Sequence, residues 1–172
     1  MMPIVYGMPP RQRPFATFPV ALQAIIINPQ EEILLLASPT RKPSGWQLIS
    51  GGMEAEETIL AGTLREVGEE VGAGVRVRPL GIVHTHTFTY DANISHMVSV
   101  YYLMVYEGGE IVPGDDMVGS DWRWWPLDAL FASGESIHPS TNYPWLLRRA
   151  VELYRLWHNR VDDEIELQTS LT

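Results

Sequence analysis

Three glutamates fall within one short stretch, Arg65-Glu66-Val67-Gly68-Glu69-Glu70. Glu66, Glu69 and Glu70 stand at i, i+3 and i+4, spacings that share one side of a helix. Like charges at those spacings repel and weaken the helix unless something neutralises them. A hard divalent cation, which prefers carboxylate oxygens, is the natural neutraliser. The same segment also carries a packing signal. Leu60, Ala61, Leu64, Val67 and Val71 recur at helical spacing and define a buried face. At about 100° per residue the three glutamates fall roughly opposite to it. The sequence therefore predicts a helix starting near Thr58 and capped by Gly72 and Gly74, with one face on a sheet and the other acidic. An acidic triplet alone is ordinarily a solvated surface, so the decision rests on the residues that frame it.

The 172 residues fit one domain, expected over 17–160. A proline-rich arm (1–16) precedes it and an acidic tail (161–172) follows. The chain holds 21 acidic and 12 basic residues, a formal charge of −9. That argues against a broad basic surface for nucleic acid or anionic membrane. A small anionic substrate stays open, because bound metal reverses the local field. There is no cysteine, hence no disulfide framework and no thiolate chemistry. The N-terminal residues lack a continuous apolar signal region, and no stretch approaches the roughly 18 apolar residues of a membrane span. A cytoplasmic protein with a small-molecule substrate is the expectation. Strands are predicted over Thr17–Asn28, Ile33–Ala37, Trp46–Ser50, Val75–His84, Met97–Glu107 and Asp121–Trp125. Ser38–Gly45 and Ile111–Ser120 read as loops. Pro126–Ala132 and Asn142–His158 read as helices.

With its spacing included, the segment is Gly51, five residues, Glu57, seven residues, then Arg65-Glu66-Val67-Gly68-Glu69-Glu70-Val71-Gly72-Ala73. This resembles the Nudix box, the signature of the Nudix hydrolase family. The one departure is Ala73, where the family usually has a larger aliphatic residue. The order of elements over roughly 17–158 is similar as well. The resemblance implies an α/β Nudix fold, an α/β/α sandwich around a mixed β-sheet, with the box forming a loop–helix–loop. It implies a hydrolase that cleaves a nucleoside diphosphate linked to another group, using Mg²⁺ or Mn²⁺. Matching the box assigns Glu66, Glu69 and Glu70 as metal ligands and gives the Gly51 carbonyl to the metal. Glu57 and Arg65 become an ion pair that orients the catalytic loop. One of the three glutamates, or a downstream acid, takes the proton from water. A homodimer is compatible with the resemblance. The chemistry agrees independently. A pyrophosphate is highly anionic and water is a poor nucleophile, and divalent ions on a rigid carboxylate helix relieve both difficulties.

The flanks bear on substrate. Gly45-Trp46-Gln47 ahead of Gly51, with Trp122–Trp125 and Trp145, resembles relatives acting on nucleoside triphosphates or dihydroneopterin triphosphate. Tyr90, 17 residues past Ala73, resembles a position of dinucleoside polyphosphate hydrolases. ADP-ribose or a nucleotide sugar is a further alternative, although Thr89 stands where the ADP-ribose group carries proline. A noncatalytic nucleotide-sensing domain is the alternative from another class. Arg41 and Lys42 are candidates for phosphate contact. Trp46 and Tyr90 are candidates for substrate contact. His84 and His86 alternate on a strand and so share a face, suited to phosphate binding or proton transfer, or simply to bonding with strand neighbours. Relatives often supply a further acid where Val118 stands; Asp115, Asp116 and Asp121 are the nearby substitutes, Asp116 being preferred.

Overall fold

A strand that is apolar on both faces must be covered on both faces, and β1 (Val20–Ile27) is such a strand, with Ala21 to Ile27 all buried. The computed structural model describes residues 17–37, 45–138 and 143–159. The predicted arm, the loop with Arg41 and Lys42, Asn142 and the acidic tail lie outside them. β1 turns at Asn28, whose Oδ1 accepts from the N–H groups of Gln30 and Glu32, each at 3.0 Å, and returns as β2 (Ile33–Ala37). The segment expected as one strand over Trp46–Ser50 divides into β3 (Trp46–Gln47) and β4 (Ile49–Gly52), because β3 pairs with β2 while β4 pairs with β1. β5 (Arg76–Phe88) runs past His84, and β6 (Met97–Gly108) returns beside it. β7 (Asp121–Trp125) pairs with β2. A two-residue β8 (Ile137–His138), absent from the sequence expectation, adds parallel to β3.

Among the described residues the sheet holds eight strands, in the order β5-β6-β1-β2-β3-β8 with β4 on β1 and β7 on β2. It is mixed: β1 runs parallel to β6 and antiparallel to β2 and β4. Alternation along β1 sends Ala24 and Ile26 to one core and Ile25 and Ile27 to the other. The first core is closed by α1 (Ile59–Val71) through Leu60, Val67 and Val71. The second is closed by α2 (Leu127–Ser133) through Leu130, and by α3 (Pro144–Trp157) through Leu146, Leu147, Ala150, Val151 and Tyr154. The result is the expected α/β/α sandwich. Pro144 opens α3 at a position where no amide hydrogen is needed.

α1 begins where its sequence predicts. Thr58 is extended (φ −84°, ψ 161°), and its Oγ1 accepts from the Ala61 N–H at 3.1 Å. Gly72 ends the helix at φ 105°, a conformation glycine adopts without penalty. One expectation is corrected. The glutamates do not all face away from the core: Glu66 and Glu70 are buried, at 9% and 3% exposure. At 3.6 residues per turn Glu70 lies on the flank of the Leu60–Val67–Val71 stripe, and β4 closes over that flank. Replacing the cap, Thr58→Ala, is expected to cost about 1 kcal/mol in urea unfolding while Thr58→Ser retains most of the stability. Equal midpoints for all three proteins would contradict the cap.

Candidate active site on the first face of the box helix

One guanidinium gathers the acidic groups. Arg65 reaches Glu57 with two bonds, Nε to Oε2 at 3.2 Å and Nη2 to Oε1 at 3.0 Å. Its Nη1 donates to Glu66 Oε1 at 2.7 Å and Glu69 Oε2 at 2.9 Å, and its Nη2 to the Gly52 carbonyl at 2.9 Å. Glu57 Oε1 also accepts from the Glu54 N–H at 2.6 Å. The loop between β4 and α1 is thus tied at both ends to a residue in mid-helix. The fork geometry of arginine suits this multiple grip.

Backbone contacts set the distances. The Ser50 N–H donates to Glu70 Oε2 at 3.0 Å. A Cβ on Gly51 would overlap the Glu66 carboxylate, so glycine here lets that carboxylate lie against β4, and any larger residue displaces it. Gly62 serves the same end one turn earlier, where a Cβ would strike Glu57 and Leu22. Gly62 was not singled out from sequence, although a glycine inside a helix, roughly 1 kcal/mol worse than alanine, is a usable signal.

Among the described residues Glu57, Glu66 and Glu69 share one arginine, while Glu70 is held by the Ser50 N–H. The hydrogen bonds of Arg65 to Glu57 hold that carboxyl below the usual range. Burial instead raises Glu66, against the opposing pull of Arg65. Among the described residues no three acidic or histidine side chains converge on one point at metal-ligand distances. The oxygens of Glu66 and Glu69 converge on the guanidinium. In kind the donors fit a hard divalent cation: three carboxylates on one helix, those of Glu66 and Glu70 buried, supply the oxygens such an ion prefers.

The other candidates separate from this cluster. Residues 111–114 lie against the end of α1, with the Val112 and Gly114 N–H groups on the Val71 and Glu70 carbonyls at 3.0 and 3.3 Å. Asp115 follows in a single 3-10 turn (Asp115–Met117) and is exposed, as is Asp121 at the start of β7. Neither bonds to the glutamates, and the Asp116 side chain lies outside the described residues. Trp46 packs edge-on to Trp125 at 5.3 Å, with Arg123 over both rings. Tyr90 is 64% exposed in the β5–β6 connection. His84 and His86 share a face as expected, stacked at 5.5 Å, on the α3 side of the sheet.

Gln23 was missed. Its signal is a lone amide in the apolar run VALQAIII; it is 6% exposed and its Oε1 has no hydrogen-bond partner. Both ring nitrogens of His86 are likewise shielded and unpartnered. Burial, then the neighbouring His84, lowers the His86 pKa. A histidine with a lowered folded pKa contributes stability that is present above its unfolded pKa near 6.5 and lost as pH falls from there through the lower folded value. The melting temperature should therefore fall more between pH 7.5 and 5.5 in the native protein than in His86→Phe. Equal slopes would show that His86 titrates as if unfolded.

The NUDIX domain family model matches residues 17–146. The NAD-capped RNA hydrolase NudC of Pseudomonas aeruginosa is 32% identical over 106 residues, 62% of this chain and 36% of that protein. The human diphosphoinositol polyphosphate phosphohydrolase NUDT4B is 35% identical over 100 residues, 58% of this chain and 52% of that protein. The chain thus spans about a third to a half of the length of these curated relatives. An ADP-ribose pyrophosphatase from Streptococcus suis superposes with a TM-score of 0.64 at 22% identity, covering 81% of this chain and 93% of that one. With the family match spanning most of the chain and the box residues interlocked as described, the chain belongs to the Nudix hydrolase family.

Proposed function

We propose that this chain hydrolyses the pyrophosphate linkage of a nucleoside diphosphate-linked substrate in a magnesium-dependent reaction. The observation that carries the reading is the interlock of Gly51, Glu57, Arg65 and Glu66, which gathers carboxylates around one guanidinium with Glu66 lying against Gly51. Glu66, Glu69, Glu70 and the Gly51 carbonyl are the groups that would hold Mg²⁺, with Mn²⁺ as a substitute. The ion, when bound, supplies charge neutralisation of the anhydride oxygens and acidification of water. The chain's own residues do the rest. Arg65 and Glu57 fix the loop so that the carboxylates keep one geometry. Glu70 is anchored by the Ser50 N–H. One of Glu66, Glu69 and Glu70, or a downstream acid, accepts the proton of the attacking water. A nucleoside triphosphate is the first substrate expected from the flanks. ADP-ribose and dinucleotide linkages stand beside it, because similar proteins carry those activities in their names.

The test is a hydrolysis screen, with products resolved by ³¹P NMR and chromatography, with Mg²⁺ or Mn²⁺ over nucleoside triphosphates, ADP-ribose, NAD, NAD-capped RNA, dinucleoside polyphosphates and diphosphoinositol polyphosphates. At least one nucleotide is expected to turn over, and a wholly inert panel would favour a noncatalytic sensor. For the responsive compound, Glu69→Gln should lower kcat about 100-fold or more, the scale of a lost catalytic carboxylate. Unchanged turnover would remove Glu69 from the machinery. Metal binding has its own readout. At one hundred times Kd, Mg²⁺ should stabilise the protein by about 2.7 kcal/mol. Gly51→Ala should abolish that gain, since its Cβ occupies the Glu66 carboxylate position. A full Mg²⁺ response in Gly51→Ala would place the ion elsewhere.

A further inference from the structure

β4 has two sides. Gly51 meets Glu66 on the α1 side, so Ser50 and Gly52 on either side of it face the α3 side. Strand register extends those two positions into rows. Ser50 pairs with Gln23, Gln23 with Tyr101, and Tyr101 with His84. Gly52 pairs with Ala21, Ala21 with Ser99, and Ser99 with His86. Registered residues share a sheet face, so a polar and aromatic floor begins immediately behind the carboxylate site and runs out to β5.

Among the described residues this floor carries unused hydrogen-bonding capacity. Gln23 is 6% exposed, and its Oε1 has no partner among them. Neither nitrogen of His86 has one there. A buried polar atom left dry is costly, so their retention calls for a ligand or water that completes them. Flat rings surround them. His86 stacks with His84 at 5.5 Å and with Tyr101 at 5.7 Å. His84 meets Trp145 edge-on at 5.0 Å, and Trp145 stacks with Tyr143 at 6.0 Å. Trp145 and Tyr143 are nearly half exposed, at 47% and 43%. No lysine or arginine belongs to either row, and burial keeps His86 on its neutral side. Such a surface suits an uncharged planar ring with a hydrogen-bonding edge. It does not suit a polyphosphorylated inositol, which has no ring face to stack and brings charges that need cations. The charged cleft of 380 Å³ between the β1–β2 turn, α2 and α3 offers no rival, since Arg155 there is committed to Glu31 and Arg148 lies over Phe131.

We propose that the α3 side of β4 receives the nucleobase of the substrate, with Gln23 and His86 reading its hydrogen-bonding edge and the rings of His84 and Trp145 flanking it. This rests on the anhydride-cleaving reading only for the identity of the ligand as a nucleotide. It makes Gln23 and His86 specificity-determining residues, and selects base-containing substrates over diphosphoinositol polyphosphates.

The test needs neither metal nor turnover, so it can fail or succeed apart from the hydrolysis assay. Protein labelled with ¹⁵N-histidine is titrated in EDTA with adenosine, guanosine, cytidine and uridine 5′-monophosphates, and with ribose 5-phosphate. At least one nucleotide should move the His86 ring-nitrogen resonances saturably, and ribose 5-phosphate should not. Gln23→Leu, which removes the unpartnered amide at similar volume, should weaken that nucleotide at least tenfold and flatten the preference among bases. It should also melt no lower than the native protein. The proposal is overturned if no nucleotide moves His86, if ribose 5-phosphate moves it equally, or if Gln23→Leu keeps the native affinity and base order. Should Gln23→Leu fail to fold, the amide is structural and its assignment is overturned, while the wild-type titration still decides the base site.

Discussion

The arrangement depends on how many acceptors one arginine holds. Arg65 binds Glu57, Glu66, Glu69 and the Gly52 carbonyl at once. Without it, the loop from β4 would lose its tie to α1, and Glu57, Glu66 and Glu69 would lose the guanidinium they share. The two glycines follow from the same constraint. Gly51 and Gly62 lie where any Cβ would enter a carboxylate that Arg65 draws inward. Among the described residues one guanidinium thus serves three carboxylates, and burial lifts Glu66 even while Arg65 pulls it down.

The sheet turns this local device into a directional one. Because successive residues alternate faces, β4 addresses the carboxylates through Gly51 and the opposite layer through Ser50 and Gly52. α1 closes the first face and α3 the second. Two chemically different surfaces, one anionic and one aromatic with uncharged polar groups, thus meet at a four-residue strand. A phosphoric anhydride carried by a nucleoside has the same two characters in one molecule. β1 holds the two together: it is apolar except at Gln23, and that residue stands in the row behind Ser50.

Much of this was legible in the sequence, for local reasons. Thr58, the Leu60–Val67–Val71 stripe and Gly72 define α1 without reference to the rest of the chain. The Glu57–Arg65 pair follows from box spacing, and the structure shows it as a two-bond contact. What escaped was nonlocal. Helical periodicity put all three glutamates opposite the core, but the approach of β4 buries Glu66 and Glu70. Trp46–Ser50 reads as one strand, and splits because β3 pairs with β2 while β4 pairs with β1. β8 has only two residues and exists through pairing with β3. The packing of Trp46 against Trp125 and Arg123 joins residues far apart in sequence and leaves no local signal. Gln23 becomes informative only when register sets it beside Tyr101 and Ser50.

The most direct test follows the bond that breaks. A nucleotide that responds in the screen, such as ADP-ribose or a nucleoside triphosphate, is incubated with protein and Mg²⁺ in ¹⁸O-water and followed by ³¹P NMR and mass spectrometry. The account predicts cleavage between the two phosphorus atoms, one ¹⁸O on a single phosphoryl product, and loss of the reaction in EDTA and in Glu69→Gln. Label on a sugar carbon, or cleavage that persists in EDTA, would contradict an anhydride hydrolase built on these carboxylates.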